Sequence, residues 1–149
     1  DRAALGQIAA LTTRNTNSDV RVAIKTLYYS ALEPEAEVEE HFKKARRDIF
    51  VDLLSDLNDK NLLILKAAAT TKSGHAKKVY RRYRSLSREH GEKPFSYVYF
   101  HSGLSYLQSI GLILLVSAKV GRTYTKEIQL LFNPGLLDEL FRLRFGQGR

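Results

Sequence analysis

Lys93 to Phe132 reads KPFSYVYFHSGLSYLQSIGLILLVSAKVGRTYTKEIQLLF, and its periodicity changes once, at Gly111. Before that glycine, Phe100, Leu104, Leu107 and Ile110 recur at spacings of four, three and three, which places them on one face of a helix. Ser96 supplies an N-cap, Pro94 keeps the preceding chain out of helix, and Gly111 supplies a stop. After it, Leu112 to Val120 is aliphatic and β-branched. Ile128, Leu130 and Phe132 then alternate with Glu127, Gln129 and Leu131, the period of a strand. Between the two runs stands Val120-Gly121-Arg122-Thr123, where a glycine permits the positive φ of a tight hairpin turn. The stretch is a helix, a stop and a β-hairpin with a basic tip.

Two more helices precede it. One runs from Lys60 to Thr70, with Leu62, Leu63, Leu65 and Ala67-Ala68-Ala69. After the loop Thr71-Lys72-Ser73-Gly74 the other runs from His75 to His90, with Val79, Tyr83 and Leu86 on one face and Gly91 as its stop. Asn133-Pro134 opens a last helix bearing Leu136, Leu137, Leu140 and Phe141. Three helices, a hairpin and a closing helix make a winged helix, in which the third helix enters the DNA major groove and the hairpin is the wing.

The start of the chain is helical as well. Arg2 to Leu11 is expected to turn Leu5, Ile8 and Ala9 to a core. Ser18 is expected to cap a helix through Leu32 with Val20, Ala23, Ile24, Leu27 and Tyr28 at helical spacing. Pro34 ends it. Ala36 to Leu57 carries the stripe Val38, Phe42, Ala45, Ile49 and Leu53, and the acidic run Glu33 to Glu40 lies where a helix dipole favours negative charge. The polar segment Asp56 to Lys60 sets the expected division, 1 to 57 and 58 to 149. Opening on Asp1 with no Met, the chain reads as a piece of a longer protein.

The 149 residues carry a net charge of +8, unevenly spread. Residues 1 to 60 hold 9 Lys and Arg against 11 Asp and Glu, whereas residues 61 to 149 hold 15 against 5. One unit therefore prefers a polyanion, unless its basic surface serves solubility alone. With no cysteine, disulfides and thiolate metal sites are excluded, and the four histidines are scattered. No apolar run approaches a bilayer's thickness, so no membrane is expected as a partner. No G-x-x-x-x-G-K-[ST], G-x-S-x-G or H-E-x-x-H occurs, and no catalytic site is expected.

Three groups of residues are candidates for contact with DNA. Lys72 and the helical stripe Lys77, Arg81, Arg84 and Arg88 suit phosphate contact, which positions a protein without reading sequence; the alternative is a solvated helix face. The wing tip offers Lys119, Gly121, Arg122, Thr123, Tyr124 and Lys126, and an arginine there can enter a narrow minor groove; the alternative is an ordinary turn with edge-protecting charges. The third helix would present Val98, Tyr99, His101, Ser102 and Ser105, with Tyr97 beside them. None is an Arg, Lys, Asn or Gln, the side chains that read bases bidentately, and modest sequence specificity is expected.

Two sets of motifs resemble the archaeal Orc/Cdc-type replication initiators, which are AAA+ proteins. Ser18-Asp19-Val20-Arg21-Val22-Ala23-Ile24 resembles the family's G-D-x-R-x-A-L signature at the start of a lid helix. Val79-Tyr80 through Gly91, Pro94-Phe95-Ser96, Leu107 to Ile113 and Gly121-Arg122-Thr123 are similar to its V-Y-x-x-Y, P-L-[ST], L-x-x-L-G-[IL]-I and G-R-[ST] landmarks. The resemblance implies a mainly α chain: a helical AAA+ lid followed by a winged helix that binds double-stranded origin DNA. It implies that Arg21 senses the terminal phosphate of a nucleotide, which suits a bidentate guanidinium. ATP or ADP with Mg, and ATP hydrolysis, are implied for the parent protein only, since the phosphate-binding core is not in this chain. Other initiator subunits or the helicase are implied partners, and the cytoplasm, at the nucleoid, the implied location. Ser18 stands for the family's glycine, and Tyr97, Val98 and Tyr99 stand where many members carry a basic cluster. A winged-helix transcriptional regulator and a winged helix used as a protein-interaction module are the other readings.

Overall fold

The computed structural model describes residues 2–16 and 19–146. Among them are seven helices and one hairpin: α1 (Arg2–Asn15), α2 (Val20–Leu32), α3 (Val38–Ser55), α4 (Asp59–Thr70), α5 (Ala76–Glu89), α6 (Tyr97–Ser109), β1 (Ile113–Val120), β2 (Thr123–Leu130) and α7 (Pro134–Phe145). The chain forms two compact units, Asp1–Asp52 and Leu53–Arg149. The division falls within the continuous helix α3, whereas the polar segment Asp56 to Lys60 suggests 57/58.

The first unit has a small core. Val22, Phe42 and Ala45 are buried, with Leu11, Tyr29 and Ile49 packed on them. The residue expected as cap of α2, Ser18, lies outside the described residues; Asp19 is the N-cap, and its carboxylate accepts from the Arg21 amide. The apolar stripe expected to bury α2 does the opposite. Val20, Ile24, Leu27 and Tyr28 are exposed, while Val22 and Thr26 are buried. Two side chains tip the helix that way: Val22 fills the core, and the Thr26 hydroxyl donates to the Val22 carbonyl, so a polar group is satisfied without water. Leu5 and Ala9 of α1 are likewise exposed, and only Ile8 of the expected trio is buried.

The second unit is built around α4. Asn58 caps it, accepting from the Asn61 amide. Asn61 and then Leu62, Leu63, Ile64, Leu65 and Ala67 are all buried, with no polar face until Lys66. Such a helix is enclosed on several sides, and α4 packs against α5, α6, α7 and β2. Burying its four large aliphatic residues contributes about 1.5–3 kcal/mol each before the entropy of ordering them is subtracted.

Two α5 tyrosines set the direction of α6. The Tyr80 hydroxyl donates to the Phe95 carbonyl at 2.9 Å, and the Phe95 amide donates to the Tyr83 hydroxyl at 3.0 Å. Both backbone groups of one residue in the turn are thereby held. Ser96 then caps α6, and Phe100, Leu104 and Leu107 bury its inner face. At the far end Gly111, at φ 83°, lets the Leu112 amide reach back to the Leu107 carbonyl at 3.0 Å and end the helix. The chain leaves directly into β1.

The hairpin pairs Ile113 with Leu130 through Val120 with Thr123, leaving Gly121 and Arg122 as a two-residue turn with Gly121 at φ 62°. Its base is buried through Ile113 and Ile128, and its outer half is exposed. The base is pinned to the start of α5: the Ile128 amide donates to the Gly74 carbonyl at 2.8 Å, and His75 bridges to Glu127. A Cβ on Gly74 would stand 2.6 Å from the Ile128 carbonyl oxygen, so only glycine permits this approach. These contacts fix the distance between the basic helix and the wing. No described helix is long and apolar enough to cross a membrane.

Candidate nucleic-acid interface

A groove of about 680 Å³ lies between the first turns of α5, the exposed side of α6 and the outer half of the hairpin. Lys77, Lys78 and Arg81 enter it from α5, Tyr97 and His101 from α6, and Thr123, Tyr124 and Lys126 from β2. No carboxylate is among its described lining residues. Lys77, Lys78, Arg81 and Lys126 form no ion pair with a carboxylate among the described residues, although Arg82, Lys66 and Arg144 of the same unit each find one. Unpaired like charges held together raise the local potential and favour an anion.

The helix geometry explains which cations meet. On α5, Lys77 and Arg81 are four residues apart and share a face, while Val79, Tyr83 and Leu86 bury the opposite one. His75 occupies the N-cap position but makes no side-chain capping bond. Tyr97 is half-exposed and packs edge-on against Tyr80, with centroids 5.0 Å apart, and against His101 at 4.5 Å. Partial burial and then the charge of Lys126 hold His101 below the usual histidine range. It is neutral near pH 7 and sits where a polyanion would favour its charged form.

Of the sequence candidates, Lys77, Arg81, His101, Thr123, Tyr124 and Lys126 converge on this groove. Arg84 and Arg88 do not; with Arg81 they edge a shallower hollow that also contains Glu89. Lys119 and Arg122 are exposed at and beside the hairpin turn. Lys72 is exposed in the loop before α5. Tyr99, Ser102 and Ser105 are exposed on α6 outside the groove lining. The Thr123 hydroxyl donates to the Val120 carbonyl across the turn at 3.1 Å, so it also stabilises the tip. Lys78 escaped the sequence reading because it follows Lys77 and leaves the 77–81–84–88 spacing; its signal was the i, i+3 relation to Arg81.

Arg21 belongs to the other unit. Its guanidinium clasps Asp19 at both carboxylate oxygens, with Nε and Nη2 at 3.0 and 2.7 Å. That hydrogen bond, more than their charges, raises the arginine's pKa and lowers the aspartate's. The half-exposed guanidinium has the fork geometry for a phosphate. With no phosphate-binding loop in the sequence, the residues present do not fit a whole nucleotide; Arg21 fits one terminal phosphate contact. Among the described residues no cluster of His, Asp and Glu is placed to hold a metal ion.

The fold is similar to those of several solved archaeal proteins. The ORC1 protein of Aeropyrum pernix, solved in complex with DNA, matches over 97% of this chain and 41% of its own, at 21% identity and a TM-score of 0.77. The ORC2 protein of Aeropyrum pernix, solved as ADPNP-ADP complexes, matches over 99% of this chain and 41% of its own, at 19% identity and a TM-score of 0.50. CDC6P from Pyrobaculum aerophilum matches over 95% and 42%, at 20% identity and a TM-score of 0.50. This chain thus spans about two fifths of the length of those proteins. No family model and no curated protein matches the sequence.

Proposed function

We propose that this chain is the carboxyl-terminal part of an archaeal Orc/Cdc-type replication initiator and that its winged helix binds double-stranded origin DNA. The observation that carries the reading is the groove of unpaired cations between α5, α6 and the wing. Lys77, Lys78 and Arg81 hold phosphates of one strand while α6 faces the major groove. Lys126, Tyr124 and Lys119 flank the neighbouring minor groove, and Arg122 reaches into it from the turn. Lys72, in the loop before α5, and Arg84, farther along the helix, extend the phosphate contacts. The fold likeness to an initiator solved in complex with DNA supports DNA as the partner.

The function of this chain is binding, not chemistry. The parent protein would be an AAA+ ATPase that carries its phosphate-binding loop elsewhere, and it would act in the cytoplasm at the nucleoid. There Arg21 would release Asp19 in favour of the terminal phosphate of ATP and so couple nucleotide state to the lid. Other initiator subunits or the helicase would be its protein partners.

Fluorescence anisotropy of the chain with duplex DNA at several salt concentrations tests the reading. If Lys72, Lys77, Lys78, Arg81, Arg84 and Lys126 each neutralise one phosphate, log K falls against log salt with a slope of about −5.4. Absence of binding at low salt would remove direct DNA recognition and leave a protein-interaction module. Tight selective binding of a palindrome by a dimer would instead favour a transcriptional regulator.

A further inference from the structure

The outward face of α6 has an unusual chemistry for a helix aimed at DNA. Val98 is 75% exposed and Tyr99 67% exposed in its first turn. Ser102 and Ser105 follow on the same side, four and seven residues after Val98. Their hydroxyls turn back on their own helix, Ser102 toward the Val98 carbonyl at 3.4 Å and Ser105 toward the His101 carbonyl at 3.2 Å. A hydroxyl has one proton, so each then offers only lone pairs outward. The face therefore presents methyl groups, an aromatic ring and hydrogen-bond acceptors, with no cationic donor on it.

In the major groove guanine shows two acceptors, N7 and O6, and invites a donor such as arginine. Val98, Tyr99, Ser102 and Ser105 offer no guanidinium, ammonium or amide to bind both acceptors at once, and their one outward donor is the single Tyr99 hydroxyl. A thymine shows a C5-methyl group, and its adenine partner shows an N6 donor that suits a serine lone pair. The cations of the adjoining groove, Lys77, Lys78, Arg81 and Lys126, favour a polyanionic occupant over an apolar protein surface.

We infer that α6 reads thymine: Val98 and the edge of Tyr99 pack on C5-methyl groups of A·T pairs, with Ser102 and Ser105 accepting from adenine. This rests on the DNA-binding reading and adds the base class. Exposed apolar side chains at the start of a helix would then be its specificity-determining residues, and the surrounding cations would supply affinity without selectivity.

Deoxyuridine duplexes test it, since they differ from thymine duplexes only by the methyl group in the major groove. Binding of this chain to an A·T-rich duplex should weaken roughly fourfold for each contacted methyl removed, the worth of one buried carbon. Val98→Ala should erase most of the difference between the two duplexes while leaving the salt slope unchanged. Its exposure makes the substitution harmless to folding, which a thermal melt checks. Placing 5-methylcytosine in G·C-rich DNA should recover part of the affinity. Equal binding of thymine and deoxyuridine duplexes, with a normal salt slope, would overturn the inference and spare DNA binding. A thymine preference that survives both Val98→Ala and Tyr99→Ala would also overturn it, by moving the reader off α6. Loss of all salt-dependent binding would instead defeat the DNA-binding reading beneath it.

Discussion

In the unit Asp1–Asp52, Lys25 lies 3.9 Å from Asp48 and 3.6 Å from Asp52, Lys44 reaches Glu33 at 3.3 Å and covers the Tyr29 ring, and Arg21 holds Asp19. The Tyr29 hydroxyl donates to Asp48, which, ahead of burial, pushes the phenol up to about 12. In the unit Leu53–Arg149 the cations that line the groove meet no carboxylate at all among the described residues. Apolar residues are distributed the other way. The first unit leaves Val20, Ile24, Leu27 and Tyr28 exposed around a small core of Val22, Phe42 and Ala45, while the second encloses α4 and the inner faces of α5 and α6. A cation with an intramolecular partner must give that partner up before it can serve a ligand. One held near like charges awaits an anion.

Core truncation should separate the units most sharply. Leu104→Ala removes a fully buried side chain of α6 and should cost about 2–5 kcal/mol in a denaturant titration. Ile24→Ser on the exposed face of α2 should change stability by less than about 0.5 kcal/mol. A large loss from Ile24→Ser would mean that its face is covered in solution. Next in size is the charge contrast. Replacing Lys77, Arg81 and Lys126 together by Ala should weaken DNA binding on the order of 100-fold and reduce the salt slope by about 2.7. Lys25→Ala with Lys44→Ala should leave both unchanged and should cost only about 0.5 kcal/mol of stability per exposed pair. Equal DNA defects from the two sets would dissolve the distinction.

The smallest effect expected is the proton linkage of His101. Its folded pKa lies below the usual 6.5, through burial and then Lys126. The stability this contributes is complete above 6.5 and is lost as pH falls through the folded value. Phosphates in the groove would favour the imidazolium, so DNA binding there would take up a proton. Affinity should rise as pH falls from 7.5 to 6, and His101→Gln should flatten the profile. An affinity that falls with acidification would place His101 away from phosphate.

The winged helix was legible in the sequence because its signals are local. Ser96, Gly111, Gly121 and Asn133 each act on residues within a few positions, as caps, stops and turns. The site was legible in part. The stripe Lys77, Arg81, Arg84 and Arg88 follows from helical spacing, but Lys78 in the groove and the departure of Arg84 and Arg88 from it depend on where the wing stands. The exposed stripe of α2 misled for a related reason: periodicity marks an apolar face without saying whether anything in the same chain covers it.

The sequence by itself determined the order of elements, the helix ends, the hairpin turn and the segregation of charge, since each depends on residue type and near neighbours. Only the tertiary structure decided that Lys126 of β2 faces Lys77 and Arg81 of α5. That meeting is made by contacts between residues some fifty positions apart, the Ile128 amide on the Gly74 carbonyl and the His75 bridge to Glu127. No local periodicity encodes such a contact, because its energy appears only once α4 has been enclosed and the wing closes over the start of α5.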